Sequence, residues 1–158
     1  MLPTLLALAA LLLLPPTGDA PPTGGDDERP HGAHHAPRHA SLFVGAADPA
    51  HHAVVALGAD LEWRLSAPLG VAAFGDVALG AHPHGLVGAG AVLHPAAGLR
   101  VFGGPAVAIS EGHRDLAGRV GLGYDLHLGR YSLTPTVNVD VTADAVTPTV
   151  GFGFGAGF

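Results

Sequence analysis

Residues 146–158, Val-Thr-Pro-Thr-Val-Gly-Phe-Gly-Phe-Gly-Ala-Gly-Phe, alternate apolar side chains with threonine or glycine. Because successive side chains of a β-strand point to opposite faces, this period of two predicts a strand with one apolar face and one face of Gly and Thr. The glycines do not indicate a phosphate-binding loop, since no G-x-G-x-x-G motif lies between a strand and a helix. The pattern is that of a strand between two different environments.

The same alternation repeats along the chain in segments of about ten residues, separated by turn residues such as Pro, Gly, Asp and His. Eight segments can be counted: 39–47, 52–65, 69–81, 85–94, 97–109, 114–128, 131–142 and 146–158. Pro135, Pro148 and the Gly-Gly-Pro run at 103–105 interrupt the alternation, so we expect bulges or late strand starts there. The sequence predicts an all-β fold, an eight-stranded antiparallel up-and-down transmembrane β-barrel.

The charged residues in the middle of the segments all fall on the less apolar face of their strand. They are Asp60, Glu62, Arg64, Asp76, Arg100, Arg119, Asp125 and Asp140. A charge that faces lipid costs about 2–4 kcal/mol at mid-membrane, whereas a narrow interior favours small side chains and paired charges. We therefore predict that these charges line and plug the lumen, with Arg64 and Arg119 paired to acidic residues at 60, 62 and 125. A soluble barrel or sandwich that binds an apolar ligand would have the inverse arrangement.

The composition agrees with a surface that contacts lipid. Hydrophobic residues make up 48% of the chain and charged residues 13%, against about 25% charged in soluble domains. The longest apolar run, 5–14, is about half the ~20 residues that a membrane helix needs. The absence of Cys excludes disulfides, thiol catalysis and Cys-type zinc sites. A net charge of −6 without any Lys argues against a nucleic-acid partner.

The first forty residues predict export followed by a linker. Residues 1–20 contain an apolar stretch and end in Gly18-Asp19-Ala20, a small-x-small pattern suited to a signal peptidase. Residues 21–40 are rich in Pro, Gly, Asp and His and hold too few apolar side chains to offset the entropy of ordering. We predict a signal peptide at 1–20, a flexible linker at 21–40 and the barrel at 41–158.

The last strand ends on Phe158, and in this respect the sequence resembles the small outer-membrane β-barrels of bacteria, the OmpA transmembrane-domain and opacity types. The resemblance covers roughly residues 40–158 and implies a porin-like envelope protein in the outer membrane of a Gram-negative-type bacterium. It implies contact with outer-membrane lipid, both termini in the periplasm, and recognition of the terminal strand by the barrel-assembly machinery through Phe158. We also expect a monomer. In this topology Trp63, Tyr131 and Phe158 lie at the periplasmic rim, where an aromatic belt belongs.

Histidines gather in the turns that this topology places on the outer side of the barrel. They are His51, His52, His82, His84 and His113, beside Asp48, Glu111, Asp115 and Asp144. Imidazole and carboxylate groups on adjacent turns are ligands for a divalent transition metal such as Zn²⁺, Ni²⁺ or Cu²⁺. The alternative is that His is only a tolerated turn residue in a His-rich chain, since no H-x-x-x-H motif lies on a rigid element. The linker histidines, which are His31, His34, His35 and His39, would add loose metal affinity.

The function that these patterns predict is a structural or envelope role with a mostly plugged lumen and no cofactor. The alternatives are a metal-binding surface module at the His-rich turns and a minor cation-preferring pore. We do not expect an enzyme, because Ser110, His113 and Asp115 share one turn and lack an oriented base. The lipid A deacylases of the outer membrane carry a His-x-Ser arrangement near the C-terminus, and this sequence has none there.

Overall fold

The computed structural model describes residues 37–48 and 52–158 of the chain. These residues form nine β segments. They are β1 (Arg38–Ala47), β2 (Val54–Arg64), β3 (Leu69–Leu79), β4 (His84–Ala96), β5 (Leu99–Ser110), β6 (His113–Tyr124), β7 (Leu126–Leu128), β8 (Tyr131–Thr142) and β9 (Val146–Gly157). In this part of the chain no helix is long and apolar enough to cross a membrane. The predicted signal peptide and residues 21–36 of the predicted linker lie outside the described residues.

The nine segments close into one antiparallel ring. Their order is β6-β5-β4-β3-β2-β1-β9-β8-β7, and β6 also pairs with β8. On either side of Asp125, β6 and β7 pair with β8 in one continuous register, from Gly123 opposite Thr136 to Leu126 opposite Leu133. The two segments are therefore halves of one strand, and the barrel has eight strands. This confirms the predicted fold class, with every predicted strand end within two residues of the observed one.

The prolines within the strands do not shift the pairing. β8 and β9 keep one register from Tyr131 opposite Ala156 to Val141 opposite Val146, through Pro135 and Pro148. β5 and β6 likewise pair without interruption through residues 103–105. The expected bulges at these positions are wrong, because a proline removes one hydrogen-bond donor without adding a residue to the strand. The register shift occurs instead between β4 and β5, at residues 93–96.

The barrel has two rims, which we name for the chain segments found there. The terminal rim holds the first residue of β1, the last residue of β9 and the turns 65–68, 97–98 and 129–130. The loop rim holds the connections that follow β1, β3, β5 and β8. β1 begins at Arg38, so residues 38–40 belong to the barrel rather than to the predicted linker.

The two faces of the barrel wall differ in chemistry. Exposed Leu, Val, Ile, Phe, Tyr or Trp side chains cover the outward face of every strand. Among the described strands, the only charged residues on this face are Arg38 and Arg114, which lie at the ends of β1 and β6. The inward face carries the buried polar and charged side chains, together with small residues such as Ala56, Ala72 and Ala106.

Inward glycines make room for the aromatic rings of the interior. Gly45 of β1 and Gly151 of β9 pair directly in register, and the ring of Phe43 lies over both. A Cβ atom at either glycine would lie 2.6–2.7 Å from Cζ of that ring, closer than atoms can pack. The glycine of the inward face is therefore a packing requirement of a narrow barrel that contains aromatic side chains.

Candidate functional site

The interior of the barrel contains two clusters of charged side chains with an aromatic layer between them. The loop-side triad consists of Asp76, Arg119 and Asp140. The terminal-side cluster consists of Asp60, Glu62, Arg64, His94 and Arg100. The aromatic layer consists of Phe74 and Phe102. All these residues lie on the inward face that alternation defines.

The loop-side triad is centred on the buried guanidinium of Arg119, which is 4% exposed. Its Nε and Nη2 atoms donate to the two carboxylate oxygens of Asp140, each at 2.6 Å. Its Nη1 atom donates to Oδ2 of Asp76. Asp140 is the direct register partner of Arg119 on β8, whereas Asp76 reaches it from β3. One guanidinium thus donates hydrogen bonds to two carboxylates and links three strands, which offsets part of the cost of taking these charges out of water.

The terminal-side cluster is larger, and Glu62 lies at its centre. His94 Nε2 lies 2.7 Å from Oε1 of this carboxylate, and Arg64 Nε lies 3.6 Å from the same oxygen. Arg100 joins the cluster through its Nε, 3.6 Å from the other oxygen of Glu62, and donates from Nη2 to Asp60 at 2.9 Å. Glu62 is 2% exposed and Arg100 5%, so these charges depend on one another for stabilisation.

Hydroxyl groups and one further histidine extend the network toward β1 and β8. Ser41 donates to Oδ2 of Asp60 at 2.6 Å, and Thr134 donates to Asp125 at 2.7 Å. His39 Nε2 lies 2.8 Å from the hydroxyl of Ser132. The prediction that His39 belongs to a flexible linker is therefore wrong, because its strand neighbours place it on the inward face of β1.

The aromatic layer connects the two charged clusters. The rings of Phe74 and Phe102 meet edge to face with centroids 6.2 Å apart. The guanidinium carbon of Arg119 lies 5.3 Å from the centroid of Phe74, and that of Arg100 lies 5.2 Å from the centroid of Phe102. Each ring thus has a guanidinium over it, and such cation–π contacts are favourable where the cation is largely buried.

A cavity of about 30 Å³ remains beside this stack. Its lining includes Asp60, Asp76, Arg100 and Asn138. One water molecule needs roughly 10–15 Å³ on this measure, so the space accommodates about two. Arg100 Nε and Asn138 Oδ1 are buried without a hydrogen-bond partner, and water in the cavity would supply one.

The structure brings together one of the predicted ion pairs and replaces the others. Arg64 lies close to Glu62, as predicted. Arg119, however, contacts Asp76 and Asp140, so its predicted pairing with Asp60, Glu62 and Asp125 is wrong. The reason is that alternation fixes the face of a residue but not its height in the barrel. The register with β8 sets Arg119 level with Asp140, on the loop side of the aromatic layer.

His94 is the residue of the interior that sequence reasoning missed. It lies at the position where the predicted fourth strand ends, although β4 continues to Ala96. The signal was present, because His94 follows Gly88, Gly90 and the fully buried Val92 at every second position. His127, by contrast, lies exposed on β7 near the terminal rim.

The predicted metal ligands do not converge in the described structure. His82 Nδ1 lies 2.9 Å from Oε1 of Glu111, and both side chains are largely exposed. His84 and His113 flank Ser110 across three adjacent strands. His51 lies outside the described residues. Within 37–48 and 52–158, no three His, Asp or Glu side chains are grouped so that they could hold a metal ion.

The aromatic residues at the terminal rim have the predicted placement. Trp63, Tyr131 and Phe158 are 37%, 52% and 43% exposed and lie on the outward face. Tyr124 joins them at the end of β6. The outward large apolar side chains near the loop rim are aliphatic, for example Leu79 and Ile109.

Known structures with the same architecture include outer-membrane proteins of Gram-negative bacteria and de novo designed transmembrane β-barrels. The N-terminal β-barrel domain of Pseudomonas aeruginosa OprF matches with a TM-score of 0.61 and 13% identity, over 77% of this chain and 96% of that one. Ail, the attachment invasion locus protein of Yersinia pestis, matches with a TM-score of 0.56 and 14% identity, over 78% and 99%. Neisserial surface protein A matches with a TM-score of 0.55 and 10% identity, over 77% and 96%.

These similarities show the fold: the chain is a closed eight-stranded antiparallel β-barrel with the architecture of these proteins. No protein family and no curated protein matches the sequence itself.

Proposed function

We propose that the chain is an integral outer-membrane protein of a Gram-negative-type bacterium, with a structural role in the envelope and a lumen closed by its own side chains. The observation that carries this proposal is the division of the wall into an apolar outward face and a charged inward face. Burying the outward Leu, Val and Phe side chains in lipid removes apolar area from water, at roughly 25 cal/mol per Å². The same face would be a large aggregation-prone patch on a soluble protein.

The closed lumen is supported by the side chains that cross it. Arg119 reaches from β6 to Asp76 on β3, and the aromatic layer lies directly beneath it. A continuous water path would require these buried pairs to separate, which costs several kcal/mol for each uncompensated charge. Eight strands enclose an interior just wide enough for side chains to fill.

Fractionation of cells that express the whole chain tests the membrane assignment. We expect recovery with the outer membrane and an unboiled gel band that changes mobility on boiling, since folded barrels of this kind resist detergent at room temperature. A Phe158→Ala variant tests the terminal strand as an assembly signal and is expected to lower the assembled fraction in cells. Recovery of the wild-type chain in the soluble fraction would contradict the proposal.

Conductance in planar bilayers tests the closed lumen separately. The excess of carboxylates over guanidinium groups inside would favour cations if the barrel conducted. We expect no steady current from the refolded monomer. A stable cation-selective current would contradict the closed lumen and support the alternative, a minor cation-preferring pore.

A further inference from the structure

Two arginines and three aromatic residues lie side by side on the outward surface of the terminal rim. Arg38 on β1 is the register partner of Trp63 on β2. On its other side, the backbone of Arg38 exchanges hydrogen bonds with that of Phe158, at 3.2 and 2.9 Å. Gly157 next to it donates to the carbonyl of Arg130, at 3.0 Å. These contacts join four neighbouring strands into one patch, the terminal-rim patch, formed by Arg38, Trp63, Arg130, Tyr131 and Phe158.

No Asp or Glu side chain of the described residues balances the two arginines of this patch. Both arginines are exposed, and among residues 37–48 and 52–158 neither forms an ion pair. The described Asp and Glu side chains outside the two interior clusters fall into two places. Asp125 faces inward and accepts from Thr134, and the remaining ones lie at the loop rim. That second group is Asp48, Glu111, Asp115 and Asp144.

Arg130 is held in a position suited to an anion at a membrane surface. Its guanidinium lies over the ring of Tyr131, with 4.9 Å between the guanidinium carbon and the ring centroid. Its Nη2 also donates to the hydroxyl of that tyrosine at 2.7 Å. The ring thereby orients the guanidinium at the edge of the outward face, and the planar donor fork matches the geometry of a phosphate. Tyr and Trp favour the same depth in a bilayer, at the headgroups.

We propose that the terminal-rim patch binds the phosphate headgroup of an anionic phospholipid in the leaflet that surrounds this rim. The inference rests on the proposed membrane insertion and adds a lipid class to it. Basic side chains near an anionic surface each contribute on the order of a fivefold gain in association. The aromatic side chains pack against the acyl chains and the guanidinium groups contact the phosphate.

The position of the single tryptophan of the chain makes this testable by fluorescence, because Trp63 lies next to Arg38. The full barrel would be refolded into phosphatidylcholine vesicles that contain increasing fractions of brominated phosphatidylglycerol, and separately of brominated phosphatidylcholine. Bromine quenches Trp63 only on contact, so the ratio of the two quenching curves gives the local preference for the anionic lipid. We expect a preference of about fivefold or more at low ionic strength, which declines as salt is added.

Matched variants separate the patch from a general effect of charge. Arg38→Gln with Arg130→Gln should reduce the preference to about one, and lysine at both positions, which keeps the charge without the planar donor fork, should leave an intermediate preference. Arg114→Gln removes a charge from the loop rim and should leave the preference unchanged. Equal quenching by both lipids in the wild type, or an unchanged preference in the double variant, would overturn the proposal while leaving membrane insertion intact. An absence of quenching by either lipid would overturn both.

Discussion

Three consecutive residues of β6 compare the two faces of the barrel wall at one height. Val120 is 63% exposed and points outward, whereas Arg119 and Gly121 on either side of it point inward and are buried. A single peptide unit therefore separates a surface that suits lipid from a charge held by two carboxylates. The comparison teaches that each of these three positions has its own requirement: a paired charge, an apolar side chain or a minimal volume. Substitutions at the three positions should therefore destabilise the barrel for different reasons and by different amounts.

The largest effect is expected from Arg119→Met. The variant leaves the carboxylates of Asp76 and Asp140 buried without their guanidinium, and breaking a buried pair in this way costs about 3–5 kcal/mol. The free energy of unfolding in vesicles, measured by urea titration, should fall by that amount. A triple variant that adds Asp76→Asn and Asp140→Asn should recover much of the loss. If the single and triple variants are equally destabilised, the loss does not come from the two carboxylates that remain buried without Arg119.

A somewhat smaller loss is expected from Val120→Arg on the opposite face. A cation at mid-membrane on the lipid face destabilises a barrel by about 2–4 kcal/mol. Val120→Met has a comparable length without the charge and should cost less than about 1.5 kcal/mol. The same titration in vesicles provides the measurement. Equal stability of the arginine and methionine variants would mean that residue 120 does not face lipid.

Gly121→Ala tests whether the inward face has room for one added methyl group, without any change in charge. A Cβ atom at residue 121 would overlap the ring of Phe102 and would lie 2.5 Å from Oδ1 of Asn138. Overpacking of this kind costs about 1–3 kcal/mol. Gly118→Ala on the same strand is the matched control, because nothing lies within 4 Å of a Cβ atom at residue 118. The free energy of unfolding of this variant should change by less than about 0.5 kcal/mol. A larger loss at residue 118 than at 121 would reverse the assignment of the two faces.

The smallest effect is expected at the loop rim, away from both faces. His82→Ala removes the exposed contact with Glu111, and such surface pairs contribute about 0–1 kcal/mol. The unfolding midpoint should be nearly unchanged, with or without added zinc. Stabilisation of the wild type by zinc that His82→Ala abolishes would instead support the predicted metal-binding turns.

Much of the fold could be predicted because a barrel wall imposes the same simple rule on every strand. Alternation located β8 at its observed bounds and placed Asp60, Arg100 and Arg119 on the inward face. The rule does not depend on which strands are neighbours, so it needs only local sequence. The expected bulges at the prolines were wrong because a missing hydrogen-bond donor is a local feature. In the closed barrel each strand pairs with two neighbours, and this pairing keeps the register through the prolines.

The contacts within the interior could not be predicted in the same way. Arg100 meets Asp60 across 40 positions of sequence, and Arg119 meets Asp76 across 43. Such contacts depend on the height of each residue in the closed barrel, which is set by the register of several strands at once. His94 illustrates the point, because alternation within β4 indicates its inward face but not its partner, Glu62 on β2.

The most direct test of the two-faced wall uses the unmodified chain. In a methyl-labelled sample refolded into lipid nanodiscs, nuclear Overhauser contacts to acyl chains report which methyl groups touch lipid. We predict contacts to Leu57, Val120 and Val137 on the outward face, and none to Leu86 and Val92 on the inward face. The opposite result would be acyl-chain contacts to Leu86 and Val92, with Leu57, Val120 and Val137 in contact with water. It would contradict the assignment of the outward face to lipid.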